Sequence, residues 1–165
     1  MLDKDVLKIA VTEDLLKIQL PPIDPGRPYS RNMIGLSEQC EIMLARWNPA
    51  FECAPHDHGK SGGYVLYLTG EFVETQYVRV AGGLKAVGSR NISAGTLIHI
   101  EPGEIHSCHA VGEGVSLHVY SPPIEGMLVY DLVNKEILKV SSAAGAWCPQ
   151  QQSLILSRLR LLSRF

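Results

Sequence analysis

The chain has no Cys-x-x-Cys pair; its four cysteines, Cys40, Cys53, Cys108 and Cys148, are widely scattered. That spacing excludes a zinc ribbon and a thioredoxin-type motif. Neither sign of charge dominates, since 15 Lys and Arg stand against 17 Asp and Glu, giving a formal net charge of −2 and a pI of about 6.3. No basic field marks nucleic acid as a partner. No apolar run approaches the length of a membrane span, so no membrane is expected as a partner either. Residues 1–8 are charged where a secretory signal needs an apolar stretch. A soluble protein of a reducing compartment, the cytoplasm, is the expected setting. At 165 residues the chain is long enough to bury a core without disulfides. A single domain over 1–165 is expected, with no internal repeat, low-complexity segment or linker.

Periodicity divides the chain. Residues 3–20 carry Val6, Ile9, Leu15, Leu16 and Ile18 among charges, a helical spacing that predicts short N-terminal helices. Pro21-Pro22 and Asp24-Pro25-Gly26-Arg27-Pro28 predict a loop, because proline removes donors and biases its predecessor away from helix. From Glu41 the pattern becomes one of short apolar or alternating runs between turn residues: 42–47, 64–68, 72–80, 84–87, 96–100, 105–110, 115–120 and 127–132. Eight such strands predict an antiparallel sandwich or barrel over about 40–133. A parallel α/β fold needs long helices between strands, and there is no room for them. The tail at about 149–165 is predicted to be helical. Its segment 154–162 is apolar and basic together, and is expected to pack on its own domain.

The most informative stretch is Pro55-His56-Asp57-His58-Gly59. Two histidines at i and i+2 on extended backbone point to one face and can hold one metal ion from the same side. A lone His-x-His is weak, and a single histidine near a turn is more often simply hydrogen-bonded or exposed. Here the pair precedes Gly62-Gly63 and the strand-like run 64–70, and a second cluster, Glu104-Ile105-His106-Ser107-Cys108-His109, lies downstream. His106 and His109 are three apart and face opposite sides of a strand, so only one can join the site. His106 is favoured because it follows the Pro102-Gly103-Glu104 turn at a strand entrance. His99 is read as structural. Ser116, His118 and Tyr120 at i, i+2 and i+4 share one strand face, as either a solvent-facing polar ladder or a set of functional groups.

These residues together resemble a cupin, and within cupins the cysteine dioxygenase family of thiol dioxygenases, in its bacterial form. The resemblance covers roughly residues 29–123. It rests on Tyr29-Ser30-Arg31-Asn32, on His56-Asp57-His58, on Gly70, on His106, and on Ser116-Leu117-His118-Val119-Tyr120-Ser121-Pro122-Pro123. It implies an all-β jelly-roll β-barrel holding one Fe(2+) through His56, His58 and His106, with O2 as co-substrate. It implies that Arg31 binds the carboxylate of a small thiol amino acid, with Tyr29 lining the same pocket. Guanidinium suits that task because it offers two parallel donors. It further implies that Ser116 orients His118, that His118 hydrogen-bonds Tyr120, and that the phenol faces the substrate. The Ser121-Pro122 peptide is expected to be cis, as in the family.

Three departures from the family pattern are informative. Where most cupins place a glutamate ligand, this chain has Gly62 and Gly63, so three uncharged imidazoles face the cation and an anionic thiolate becomes the fitting substrate. The cysteine that animal members cross-link to the active-site tyrosine is matched here by Gly63, which leaves Tyr120 an ordinary phenol. The segment Pro102-Gly103-Glu104-Ile105-His106 is one residue shorter than the usual second motif. The ligands alone do not name the metal. The expected activity is oxygenation of L-cysteine to cysteine sulfinic acid. The alternatives are dioxygenation of 3-mercaptopropionate or another small thiol, and a non-catalytic metal-binding cupin module. A monomer is expected, with a dimer as the alternative.

Overall fold

The computed structural model describes residues 18–161. The strands are β1 (Tyr29–Leu36), β2 (Glu41–Trp47), β3 (His56–Asp57), β4 (Gly62–Thr69), β5 (Glu71–Val80), β6 (Gly83–Ser93), β7 (Leu97–Ile100), β8 (Ile105–Ala110), β9 (Gly114–Ser121), β10 (Leu128–Asp131), β11 (Glu136–Val140) and β12 (Ile155–Arg160). They form two sheets, ordered β1-β2-β9-β4-β7 and β12-β11-β10-β3-β8-β5-β6. All pairings are antiparallel. Alternation turns one face of each sheet inward: the inward set of β2 and β4 (Met43, Ala45, Trp47; Val65, Tyr67) is buried with Phe72, Cys108, Ala110, Val129 and Leu138 of the opposite sheet. One core therefore lies between two layers, as the all-β expectation requires.

The predicted strands all appear, and four further strands accompany them. β1 carries the Tyr-Ser-Arg-Asn motif and pairs with β2. β3 is only two residues long and has no hydrophobic signal, since it consists of His56 and Asp57. β11 was hidden by Leu132 and Val133, which extend an apolar run into a turn. Val133 is 90% exposed, and the turn is closed by Asp131, whose carboxylate accepts from the Val133 and Asn134 N–H groups at 3.1 and 2.9 Å. β6 runs on to Ser93 through Ser89, Arg90 and Asn91, because it pairs along nearly all of β5 and needs no inward apolar stripe.

The C-terminal expectation is corrected. No helix forms over the described part of the tail beyond a single 3-10 turn at Gln152–Leu154; β12 follows, antiparallel to β11 at the sheet edge. The open edge of β11 supplies the hydrogen bonds that a strand needs, and residues 155–160 pair along it although their leucines keep no strict alternation. Leu156 and Leu159 stay largely exposed, whereas Leu161 packs with Ile105, Tyr130 and Ile137. The predicted helical segment at 3–20 lies outside the described residues except for 18–20, which are not helical. Among the described residues no helix is long and apolar enough to cross a membrane.

Candidate metal centre

The two sheets bring different groups to one point in the core. The seven-stranded sheet supplies imidazoles. His56 on β3 pairs in register with His106 on β8, and His58 follows β3 on the same face. All three are buried, and one nitrogen from each lies within 4.8 Å of the others. Between His56 and His58, Asp57 turns to the opposite face. It accepts from the Gly59 N–H at 2.9 Å and the Tyr130 hydroxyl at 3.0 Å, with the Arg79 guanidinium at 3.4 Å. The His-Asp-His hinge is thus fixed from behind while both rings face inward.

Tautomers follow from partners. The Ala54 carbonyl can only accept, so His56 Nδ1 carries the proton it donates there at 2.9 Å, and Nε2 keeps its lone pair. His106 Nδ1 lies 2.8 Å from Glu74 Oε1, so His106 likewise presents Nε2, which is buried and has no protein partner. His58 also carries a buried, unpartnered nitrogen, Nδ1. The three rings line a cavity of about 30 Å³, and their close-set nitrogens, with His106 Nε2 buried and unpartnered, fit a small cation. His109 lies on the outer face of β8, paired with Val73, and His99 is an exposed residue beside Glu101; neither joins the cluster.

The five-stranded sheet faces these rings with a relay. Ser116, His118 and Tyr120 all point inward from β9 and all are buried, which settles their orientation against a solvent-facing ladder. Trp47 Nε1 donates to Ser116 Oγ at 2.7 Å, Ser116 Oγ lies 2.7 Å from His118 Nε2, and His118 Nδ1 lies 3.1 Å from the Tyr120 hydroxyl. An indole can only donate. The Ser116 proton therefore has one acceptor, His118 Nε2, and the His118 proton sits on Nδ1 and is given to Tyr120. The Tyr120 proton is left free to donate into the cavity. Its ring centroid stands 4.6 Å from that of His58. Trp47 was not singled out from sequence; it reads as an ordinary core aromatic, and its indole becomes informative only when paired with Ser116.

Burial sets the charge states. It pushes the Tyr120 phenol well above its ordinary value, so the group is a donor at neutral pH. It raises Tyr29 to about 12. It lowers His56 and His58 well below the ordinary imidazole range and His118 to about 3, so all three are uncharged at neutral pH. Glu74 is opposed by burial, but its bonds to His106 and Arg90 outweigh that and hold its carboxyl below the usual range.

A stability prediction follows for the metal-free protein. The unfolded chain protonates its histidines near pH 6.5, whereas these buried ones resist protonation. The unfolded state thus binds more protons, and stability falls as pH drops below about 6.5, by up to ~1.4 kcal/mol per pH unit for each such histidine. For His118 the loss continues down to about 3. Denaturant midpoints measured from about pH 6.5 to 5 should fall steeply, and His118→Gln should flatten the slope by about one proton. An unchanged slope in that variant would place the proton uptake elsewhere.

Arg31 and Tyr29 share the inner face of β1. Tyr29 lines the cavity between the histidines; its hydroxyl accepts the Ala146 N–H at 2.8 Å. Arg31 lies in an adjoining cavity of about 340 Å³, which shares the side chains of Met43 and Met127 with the first. Its guanidinium donates to the Ser142 carbonyl. The segment 141–147 thus roofs this side, held to both residues of the Tyr-x-Arg motif. Sequence reasoning missed it, since Ser, Ala and Gly carry no periodic signal. The Ser121-Pro122 peptide is cis, as expected.

The sequence profile of the family described as cysteine dioxygenase type I matches residues 21–132. The chain belongs to that family. Solved structures agree on the fold. The protein TT1209 from Thermus thermophilus superposes with a TM-score of 0.54 at 19% identity, over 68% of this chain and 97% of that one. An uncharacterized conserved protein with a double-stranded beta-helix domain from Klebsiella pneumoniae gives 0.51 at 19%, over 67% and 89%. An oxalate oxidase gives 0.57 at 17%, over 71% and 62%. At these identities the likeness speaks for the cupin fold alone. In this member of the family, the His56/His58/His106 cluster fits a mononuclear metal site.

Proposed function

We propose that this chain is an Fe(2+)-dependent thiol dioxygenase that converts L-cysteine and O2 to cysteine sulfinic acid. The observation that carries the reading is the convergence of three imidazoles from one sheet on the phenol relay of the other, in a chain of the cysteine dioxygenase type I family. The stoichiometry balances as R–SH + O2 → R–SO2H, with both oxygen atoms transferred to sulfur and no external reductant. Bound Fe(2+), held by His56, His58 and His106, supplies activation of the thiol and of dioxygen.

The chain's own residues supply position and proton control. Arg31 engages the substrate carboxylate. One donor is already committed to the Ser142 carbonyl, and the guanidinium keeps others for a carboxylate entering from the 340 Å³ cavity. Tyr29, anchored through the Ala146 N–H, walls the far side. The Trp47–Ser116–His118 chain holds Tyr120 with its proton directed at the substrate. The buried walls around the histidines exclude bulk water. The protein acts on a free small molecule, in the cytoplasm and as a monomer.

Anaerobic purification, Fe(2+) loading and oxygen uptake with L-cysteine, 3-mercaptopropionate and cysteamine test this. Uptake should be fastest with L-cysteine, and absence of uptake with every thiol rejects the enzymatic reading. Arg31→Ala should raise KM for L-cysteine by about 10–100-fold, the loss of a charge-assisted contact, with little effect on cysteamine, which lacks the carboxylate. Equal effects on both thiols would remove Arg31 from substrate binding.

A further inference from the structure

Glu74 is completely buried, yet carries a carboxylate into a core otherwise lined by apolar side chains, imidazoles and phenols. It sits at an inward position of β5, two residues after Phe72, in register with Cys108 on one side and Arg90 on the other. One oxygen, Oε1, takes the His106 Nδ1 proton at 2.8 Å; the other, Oε2, takes the Arg90 guanidinium. His106 comes from a strand of its own, whereas His56 and His58 share one hinge and His56 leans on a backbone carbonyl and a thiol rather than a carboxylate. A full negative charge is thus placed one hydrogen bond away from the imidazole that closes the site.

We propose that Glu74 is a positioning residue for the metal centre, fixing His106 with Nε2 inward and supplying through that ring the anionic character that the three imidazoles lack. The inference rests on the metal-site reading above. Gly62 and Gly63 leave no carboxylate in the cation's immediate surroundings. Glu74 instead accepts the Nδ1 proton of His106 and polarises the ring toward Nε2, as a carboxylate behind a ligating histidine does. Arg90, on the rim and about half exposed, opposes this by drawing charge from the same carboxylate. Glu74 and Arg90 therefore act in opposite senses on the metal, although they are partners in one ion pair.

That opposition distinguishes the role from a merely structural salt bridge. Co(2+) titrations without substrate, followed by d–d absorption, read it directly. The native chain should bind one Co(2+). Glu74→Gln should bind about 10–100-fold more weakly and shift the absorption bands. Arg90→Gln, which frees the carboxylate for His106 alone, should bind at least as tightly as the native chain. Unchanged Co(2+) affinity in Glu74→Gln overturns the proposal, and so does equal weakening in both variants. If Glu74→Gln does not fold, Arg90→Gln decides: weakened binding rejects the proposal, and undiminished binding supports it. A native chain that binds no stoichiometric Co(2+) sinks the metal-site reading itself, a different result from a native chain that binds and a Glu74→Gln that binds equally well.

Discussion

His106→Ala should abolish stoichiometric metal binding and, with it, thiol-dependent oxygen uptake. His56 and His58 lie two residues apart on one hinge, and the third imidazole comes from the neighbouring strand β8. Removing it leaves two nitrogens on one side of the cavity and nothing to close the face. Loss of a residue behind a ligand typically costs 10–100-fold in affinity, and loss of a ligand itself should exceed about 100-fold. The same change deprives Glu74 of one partner and leaves Arg90, which is half-exposed, as its remaining counter-charge. The metal-free variant should therefore also be less stable, by on the order of 1–3 kcal/mol for a buried acceptor left short of a donor. Metal analysis after anaerobic loading, beside a thermal melt, checks both effects. A variant that keeps one tightly held ion per chain would show that the three rings do not form one site.

Gly63→Cys should cost the fold far more than it offers the chemistry. The resemblance matches Gly63 to the cysteine that animal members link to the active-site tyrosine, and Gly63 does lie directly opposite Tyr120 in the β4–β9 register. A Cβ there would stand 2.0 Å from the Val119 carbonyl oxygen and 2.9 Å from Tyr120 Cα. Both are backbone atoms of β9 in the middle of the five-stranded sheet, so no side chain can swing aside. The strands must part where Tyr120 and His118 are positioned. Destabilisation of about 4 kcal/mol or more is expected, in the range that marks a specific steric failure. For a chain of this size that is a fall in Tm of roughly 10 °C or more. Intact mass should show no cross-link. A Gly63→Cys protein with native Tm and a thioether to Tyr120 would refute the close-packing account, and Gly63→Ala should reproduce the loss without the thiol.

The strand pattern from 42 to 132 was legible because alternation survives wherever one face is buried and the other is wet. The His-Asp-His pair was legible for the same reason: i and i+2 on extended backbone fix a common face before any tertiary contact is known. The tail at 155–160 was misread because a short run of leucines and arginines suits either an amphipathic helix or a strand. Its fate was set by the unpaired edge of β11, which no local pattern records. Glu74 carried a signal that passed unused, a charge at an inward register between Phe72 and Gln76 in an alternating strand. A buried charge there requires partners, and its partners lie 16 and 32 residues away on β6 and β8.

The sequence by itself determined the all-β class, the shared face of His56 and His58, and the common face of Ser116, His118 and Tyr120, because each follows from a period of two along one strand. Only the tertiary structure decided which second-cluster histidine completes the site, that Trp47 sets the direction of the proton relay, that residues 141–147 roof Arg31, and that Glu74 stands behind His106. These depend on the register between strands distant in sequence and on the facing of two sheets, and strand register is a property of pairs of segments, which no single stretch of residues contains.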